Sequence, residues 1–145
     1  MVIIWNLVFV NALGAASRPV DHILSENLGN KVLLYGYSLH TNRDKMNLEI
    51  VWKALDNIPT NYKVFVHLVD RNGVILAQRD AMPQSDSYPT SLWLPGEFVV
   101  DNYELPIYDT GTALRLGLYS PDDGSRLPIF DAQQTTVGDY IQIDY

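Results

Sequence analysis

The residues able to do chemistry are few and scattered. Three histidines, His22, His40 and His67, are the candidate metal ligands or bases. No two of them stand at the i, i+4 or alternate-residue spacing that sets two imidazoles on one ion, so no zinc site is expected. Paired carboxylates such as Asp80 with Asp101 have the chemistry for acid–base work. Asp80, Glu97 and Asp101 are also the candidate oxygen ligands for a cation, although acids that flank strands more often accept hydrogen bonds from loop amides. The chain has no Gly-x-Ser-x-Gly elbow and no glycine-rich phosphate loop. Asp122-Asp123-Gly124 lacks the alternating acids and the later bidentate glutamate of a calcium loop. Cysteine is absent, which excludes a disulfide framework, a thiolate metal site and a cysteine nucleophile. These residues point to a non-catalytic protein without a cofactor or a metal.

What remains is binding chemistry. Tyr88 and Trp93 fall in a proline-rich stretch, where an exposed aromatic face can stack on the C–H face of a sugar. The competing role for Trp93 is to anchor that stretch to the core. His67 lies inside an apolar segment, so a buried imidazole there needs a hydrogen-bond partner, and Asp80 is the candidate for a structural polar pair.

The elements that hold these residues read as strands. In residues 47–55, Leu48, Ile50, Trp52 and Ala54 share one face while Asn47, Glu49 and Lys53 share the other, with Val51 the exception, the period-two pattern of a strand with one buried side. Tyr62, Val64, Val66 and Leu68 form an apolar face opposite Lys63, Phe65, His67 and Val69, as expected of a central strand. Asp70-Arg71-Asn72-Gly73 supplies Asn-Gly, which suits a tight hairpin into residues 74–79. Further strands are expected at 31–40, 97–105, 112–120 and 140–144, separated by Pro, Gly, Asn and Asp. Residues 82–96 carry three of the eight prolines and form the longest irregular stretch, of the kind that is functional or packed over a sheet edge. Seven or eight strands in 145 residues predict a two-sheet antiparallel β-sandwich, immunoglobulin-like or jelly-roll-like, spanning residues 18–145 as one domain.

With 47% hydrophobic residues the chain can bury a core, and 145 residues suffice for one domain. Its formal charge of -7 opposes nucleic-acid binding. The acidity is uneven: residues 1–79 hold eight bases and six acids, whereas residues 80–145 hold two bases and eleven acids. An acidic second half serves solubility, or attracts a cation or a basic partner. Residues 1–17 contain no charge, yet Asn6 and Asn11 interrupt a run shorter than the roughly 20 apolar residues that span a bilayer. Three readings stay open for this stretch: a secretory leader, the tail of a membrane helix from a longer parent, or a first strand. The first two place the domain outside the cytoplasm.

Several phrases occur together in order: Tyr62-Lys-Val-Phe-Val-His-Leu-Val-Asp70, Ala77-Gln-Arg-Asp80, Tyr88-Pro-Thr-Ser-Leu-Trp-Leu-Pro-Gly-Glu97, Val100-Asp101, Tyr103-Glu-Leu-Pro106, Leu116-Gly-Leu-Tyr-Ser-Pro121 and Gly124-Ser-Arg-Leu-Pro128. With Leu33-Leu-Tyr-Gly-Tyr-Ser-Leu39 and Trp52-Lys-Ala54, they make residues 31–139 resemble the soluble β-sandwich at the carboxyl end of bacterial membrane glycosyltransferases of the dolichyl-phosphate-mannose-protein mannosyltransferase-like class. The chain departs from that pattern at Ala113, where an aromatic residue is usual, at 109–111, which lacks the usual prolines, and in carrying no polytopic membrane region before the domain. In such enzymes the catalytic acids and the lipid-linked sugar site lie in the membrane portion. The resemblance therefore implies an extracytoplasmic accessory domain that binds glycan or a cell-envelope partner, touching the membrane only through a parent protein or leader. A structural or protein-interaction module is the alternative.

Overall fold

A computed structural model describes residues 20–145, so the readings of residues 1–17 lie outside the described residues. The strands are β1 (His22–Leu28), β2 (Val32–Thr41), β3 (Lys45–Ala54), β4 (Lys63–Asp70), β5 (Ile75–Ala81), β6 (Phe98–Pro106), β7 (Gly111–Tyr119), β8 (Ile129–Phe130), β9 (Thr136–Gly138) and β10 (Ile141–Asp144). They form two antiparallel sheets, one in the order β6-β3-β2-β1-β8-β9 and one in the order β10-β7-β4-β5. The fold is the expected two-sheet sandwich.

Alternation explains why the sheets close on each other. Met46, Leu48, Ile50, Trp52 and Ala54 on β3 are fully buried, and so are Val64, Val66 and Leu68 on β4 and Leu114, Leu116 and Leu118 on β7. They belong to a single cluster between the sheets. Each buried Val, Leu, Ile or Met among them contributes about 1.5–3 kcal/mol by leaving water. The strand of Leu114, Leu116 and Leu118 lies next to β4, which is an inner strand of its sheet, as its apolar pattern requires.

Three strands lack a legible pattern. β1 carries a bulge between Ile23 and Glu26, which breaks its alternation. β8 and β9 are two and three residues long, too short to show a period. A bulge also sits in β2, where the register passes from Leu34 opposite Trp52 to Gly36 opposite Val51. Beyond it, Tyr37 and Leu39 pack on the core. Gly36 and Ser38 are covered instead by the chain entering at Val20: the Asp21 amide donates to Ser38 Oγ at 2.9 Å. A Cβ at Gly36 would lie 2.4 Å from the His22 carbonyl oxygen, so only glycine fits under this crossing.

The β4–β5 hairpin forms, but its turn is not the expected Asn-Gly pair of left-handed residues. Gly73 alone has positive φ, +81°, and Asn72 does not. The Asp70 side chain organises the loop, accepting the amides of Asn72 and Val74 at 2.8 and 2.9 Å. Gly73 N donates to Asp70 O, giving a turn closed by one left-handed glycine, the longer hairpin type.

Candidate functional site

The proline-rich stretch is the crossover from β5 in one sheet to β6 in the other. Thr90 fixes its middle: its buried hydroxyl donates to Thr60 O at 2.6 Å and accepts the Tyr62 amide at 3.0 Å. Trp93 is 2% exposed and belongs to the core, with its indole N–H donating to Tyr88 O at 3.1 Å. Its ring faces are covered by protein, so the stacking role considered for Trp93 has no free face through which to act, and the anchoring role fits its position. Tyr88 is half-buried, and its hydroxyl donates to Glu97 Oε2 at 2.7 Å. Burial first, and then this bond to a carboxylate, push the Tyr88 phenol up to about 12. Glu97 Oε1 accepts the Leu94 amide at 2.9 Å. Tyr88, Trp93 and Glu97 thus brace one loop from within.

Asp101 is fully buried on the inner face of β6. Its Oδ2 accepts Tyr103 Oη at 2.7 Å and Trp52 Nε1 at 3.3 Å, and its Oδ1 accepts the Gln84 amide at 2.8 Å. Burial raises its pKa above the ordinary carboxylate value, and these donors pull it back. The Gln84 bond seats a turn in which Gln84, Ser85 and Asp86 all have positive φ, a run that sequence patterns do not announce. Asp80 lies on an outer face instead. His67 Nε2 is 3.7 Å from Asp80 Oδ1, close enough for attraction but longer than a good hydrogen bond. Desolvation lowers the His67 pKa, Asp80 opposes that, and Arg126 adds to it. Among the described residues no group of three or more acids and histidines is arranged to hold a metal ion, so Asp80, Glu97 and Asp101 are not brought together as a cation site.

The outer face of the four-stranded sheet carries a shallow pocket of about 120 Å³. Register builds it. On neighbouring strands Gln78 stands opposite His67, His67 opposite Arg115, and Arg115 opposite Gln142, giving one polar row across β5, β4, β7 and β10. Arg115 Nε donates to Gln142 Oε1 at 3.0 Å, and the guanidinium carbon lies 4.8 Å from the Tyr140 ring centre. Its terminal nitrogens reach the Gly73 turn, where a Cβ would come within 3.3 Å of one of them. On the other side, the Phe65 ring reaches over Gly117, where a Cβ would come within 2.8 Å of two ring atoms, so the missing side chain leaves room for it. Arg126, brought in by the bridge between Tyr119 and Arg126, stacks 4.2 Å from the Phe65 ring centre. Arg126 also pairs with Asp139 at 3.4 Å. Sequence reading placed Phe65 and His67 on this face but missed Arg115, Arg126 and Tyr140. The signal was in the charge count, because Arg115 and Arg126 are the two bases of residues 80–145.

A second hollow, of about 220 Å³, follows the seam where β5 approaches β6, between Arg79, Asp80, Asn102 and Glu104. Among the described residues no helix is long and apolar enough to cross a membrane. No protein-family model matches the chain, and no curated protein matches it.

Proposed function

We propose that the chain is a non-catalytic accessory β-sandwich, working outside the cytoplasm, that binds glycan on the outer face of its four-stranded sheet. The observation that carries this reading is the pocket in which Tyr140, 38% exposed, stands beside Arg115, His67 and Phe65. A half-exposed ring next to hydrogen-bond donors is the usual equipment for one sugar residue. The candidate acids have structural partners: Asp101 accepts three donors, Glu97 accepts two, and Asp80 stands 3.7 Å from His67 Nε2. The extracytoplasmic setting rests on the uncharged first 17 residues and on the resemblance to the glycosyltransferase accessory domain. The test is a glycan array followed by calorimetry with the retained sugars. Binding that falls at least tenfold in Tyr140→Ala supports the proposal; an array without any retained glycan, or binding unchanged by that substitution, counts against it.

A protein-interaction role has one observation in its favour. Leu92 and Leu94, on either side of the buried Trp93, are 59% and 69% exposed. Gly96 N donates to Ala54 O, which brings exposed Leu55 to the same end of the sandwich. Scattered surface leucines need no explanation, but an apolar group at one tip does. Sedimentation at rising concentration tests self-association there: it would be lost in a Leu92→Asp, Leu94→Asp double variant whose stability stays within about 0.5 kcal/mol of the parent.

A further inference from the structure

We infer that the pocket on the four-stranded sheet selects a sugar residue bearing a carboxylate, with Arg115 as the group that reads the acid. The inference rests on the glycan reading above and names its ligand class. Three observations carry it. Residues 80–145 hold eleven acids and two bases, and both bases, Arg115 and Arg126, line this one pocket. Arg126 is engaged by Asp139 at 3.4 Å, whereas Arg115 has no carboxylate within ion-pairing distance among the described residues. An arginine left without an acid, in a region where acids outnumber bases more than five to one, leaves open a place that a ligand's acid would take.

The third observation is how Arg115 is held. Gln142 accepts its Nε–H, the Tyr140 ring centre lies 4.8 Å from its guanidinium carbon, and the Gly73 turn lies by its terminal nitrogens. A planar fork fixed at one end presents its two terminal nitrogens side by side, which is the geometry that receives both oxygens of a carboxylate. Fixing the fork in advance removes much of the ordering cost of binding. The pocket is shallow and about 120 Å³, so it receives the acidic edge of one residue of a chain rather than enclosing a free molecule. Tyr140 and Phe65 supply apolar surface beside the acid, and His67 supplies a polar atom for a hydroxyl group. A sugar acid combines these needs: a planar carboxylate, a C–H face and flanking hydroxyls.

The experiment compares, on the full chain, a galacturonate trisaccharide, its methyl ester and inorganic phosphate by calorimetry. Binding of the acid at least tenfold tighter than the ester supports the inference, provided that Arg115→Gln abolishes the difference. Arg115→Lys keeps the charge but not the fork and is expected to lose most of the preference. Dispersed amide spectra of both variants establish that they are folded, and amide shifts in the parent protein at residues 65, 73, 115 and 140 locate the ligand without any substitution. Equal binding of acid and ester overturns the carboxylate inference while leaving a glycan site standing. Phosphate binding as tightly as the trisaccharide overturns it in favour of a bare anion site. Absence of binding by every glycan, here and on the array, overturns the underlying reading itself.

Discussion

At the scale of single residues, burial decides what an ionisable group does. Asp101 reads from the sequence as a candidate acid–base group or cation ligand, and the structure makes it the acceptor for Trp52 Nε1, Tyr103 Oη and the Gln84 amide. Asp101→Ala leaves three donors unpaired inside the protein and is expected to cost about 2–4 kcal/mol in urea unfolding. A loss below about 1 kcal/mol would contradict that role. His67 gives a prediction of sign. Its pKa is held below 6.5 by desolvation, with Arg126 reinforcing and Asp80 opposing the effect. The unfolded chain therefore takes up a proton before the folded one as pH falls. The histidine's contribution is complete above 6.5 and is lost as pH drops through the lower folded value. Stability of the parent is expected to decline more steeply below pH 6.5 than that of His67→Gln; equal slopes would rule this out.

At the scale of elements, the strands with clean alternation were legible and the irregular ones were not. Residues 47–55 alternate because one side of β3 meets the core at every second position, so the sequence reveals that strand within two residues of its ends. β1 is hidden by its bulge, and β8 and β9 by their shortness, since a period needs several residues to show itself. The hairpin was legible as a turn, but not its type, because the Asp70 carboxylate selects the conformation through bonds to two amides. Gly73→Ala tests that assignment: with φ at +81° and Arg115 against the position, it should cost about 1–2 kcal/mol, and a neutral substitution would refute the turn. The long crossover was legible as irregular, while the choice between anchor and platform for Trp93 depended on a burial that composition does not encode. Trp93→Ala should make residues 82–97 the first site of limited proteolysis, since the loop loses its deepest contact; cleavage elsewhere first would assign the anchoring to Thr90 alone.

At the scale of the whole molecule, the sandwich has one interior, packed between its two sheets. The core was legible because alternation commits half of each strand to it. The site was not, because it is assembled from β4, β7, β10, the Gly73 turn and the segment carrying Arg126, and their convergence follows from strand register rather than from any local motif. The sheet face that bears the pocket carries both bases of residues 80–145, with Arg126 neutralised by Asp139 and Arg115 left as the charge available to an acidic ligand. Attraction of this kind weakens with salt, so binding to an acidic glycan should fall as ionic strength rises from 0.05 to 0.5 M, by about tenfold or less for one bidentate contact. A salt-independent affinity would point to stacking alone. The most direct measurement of the central claim is amide chemical-shift mapping with the glycans retained on an array. Shifts concentrated on β4, β7, β10 and the Gly73 turn are the predicted result, whereas shifts confined to residues 88–97, or to the outer face of the six-stranded sheet, would contradict the account.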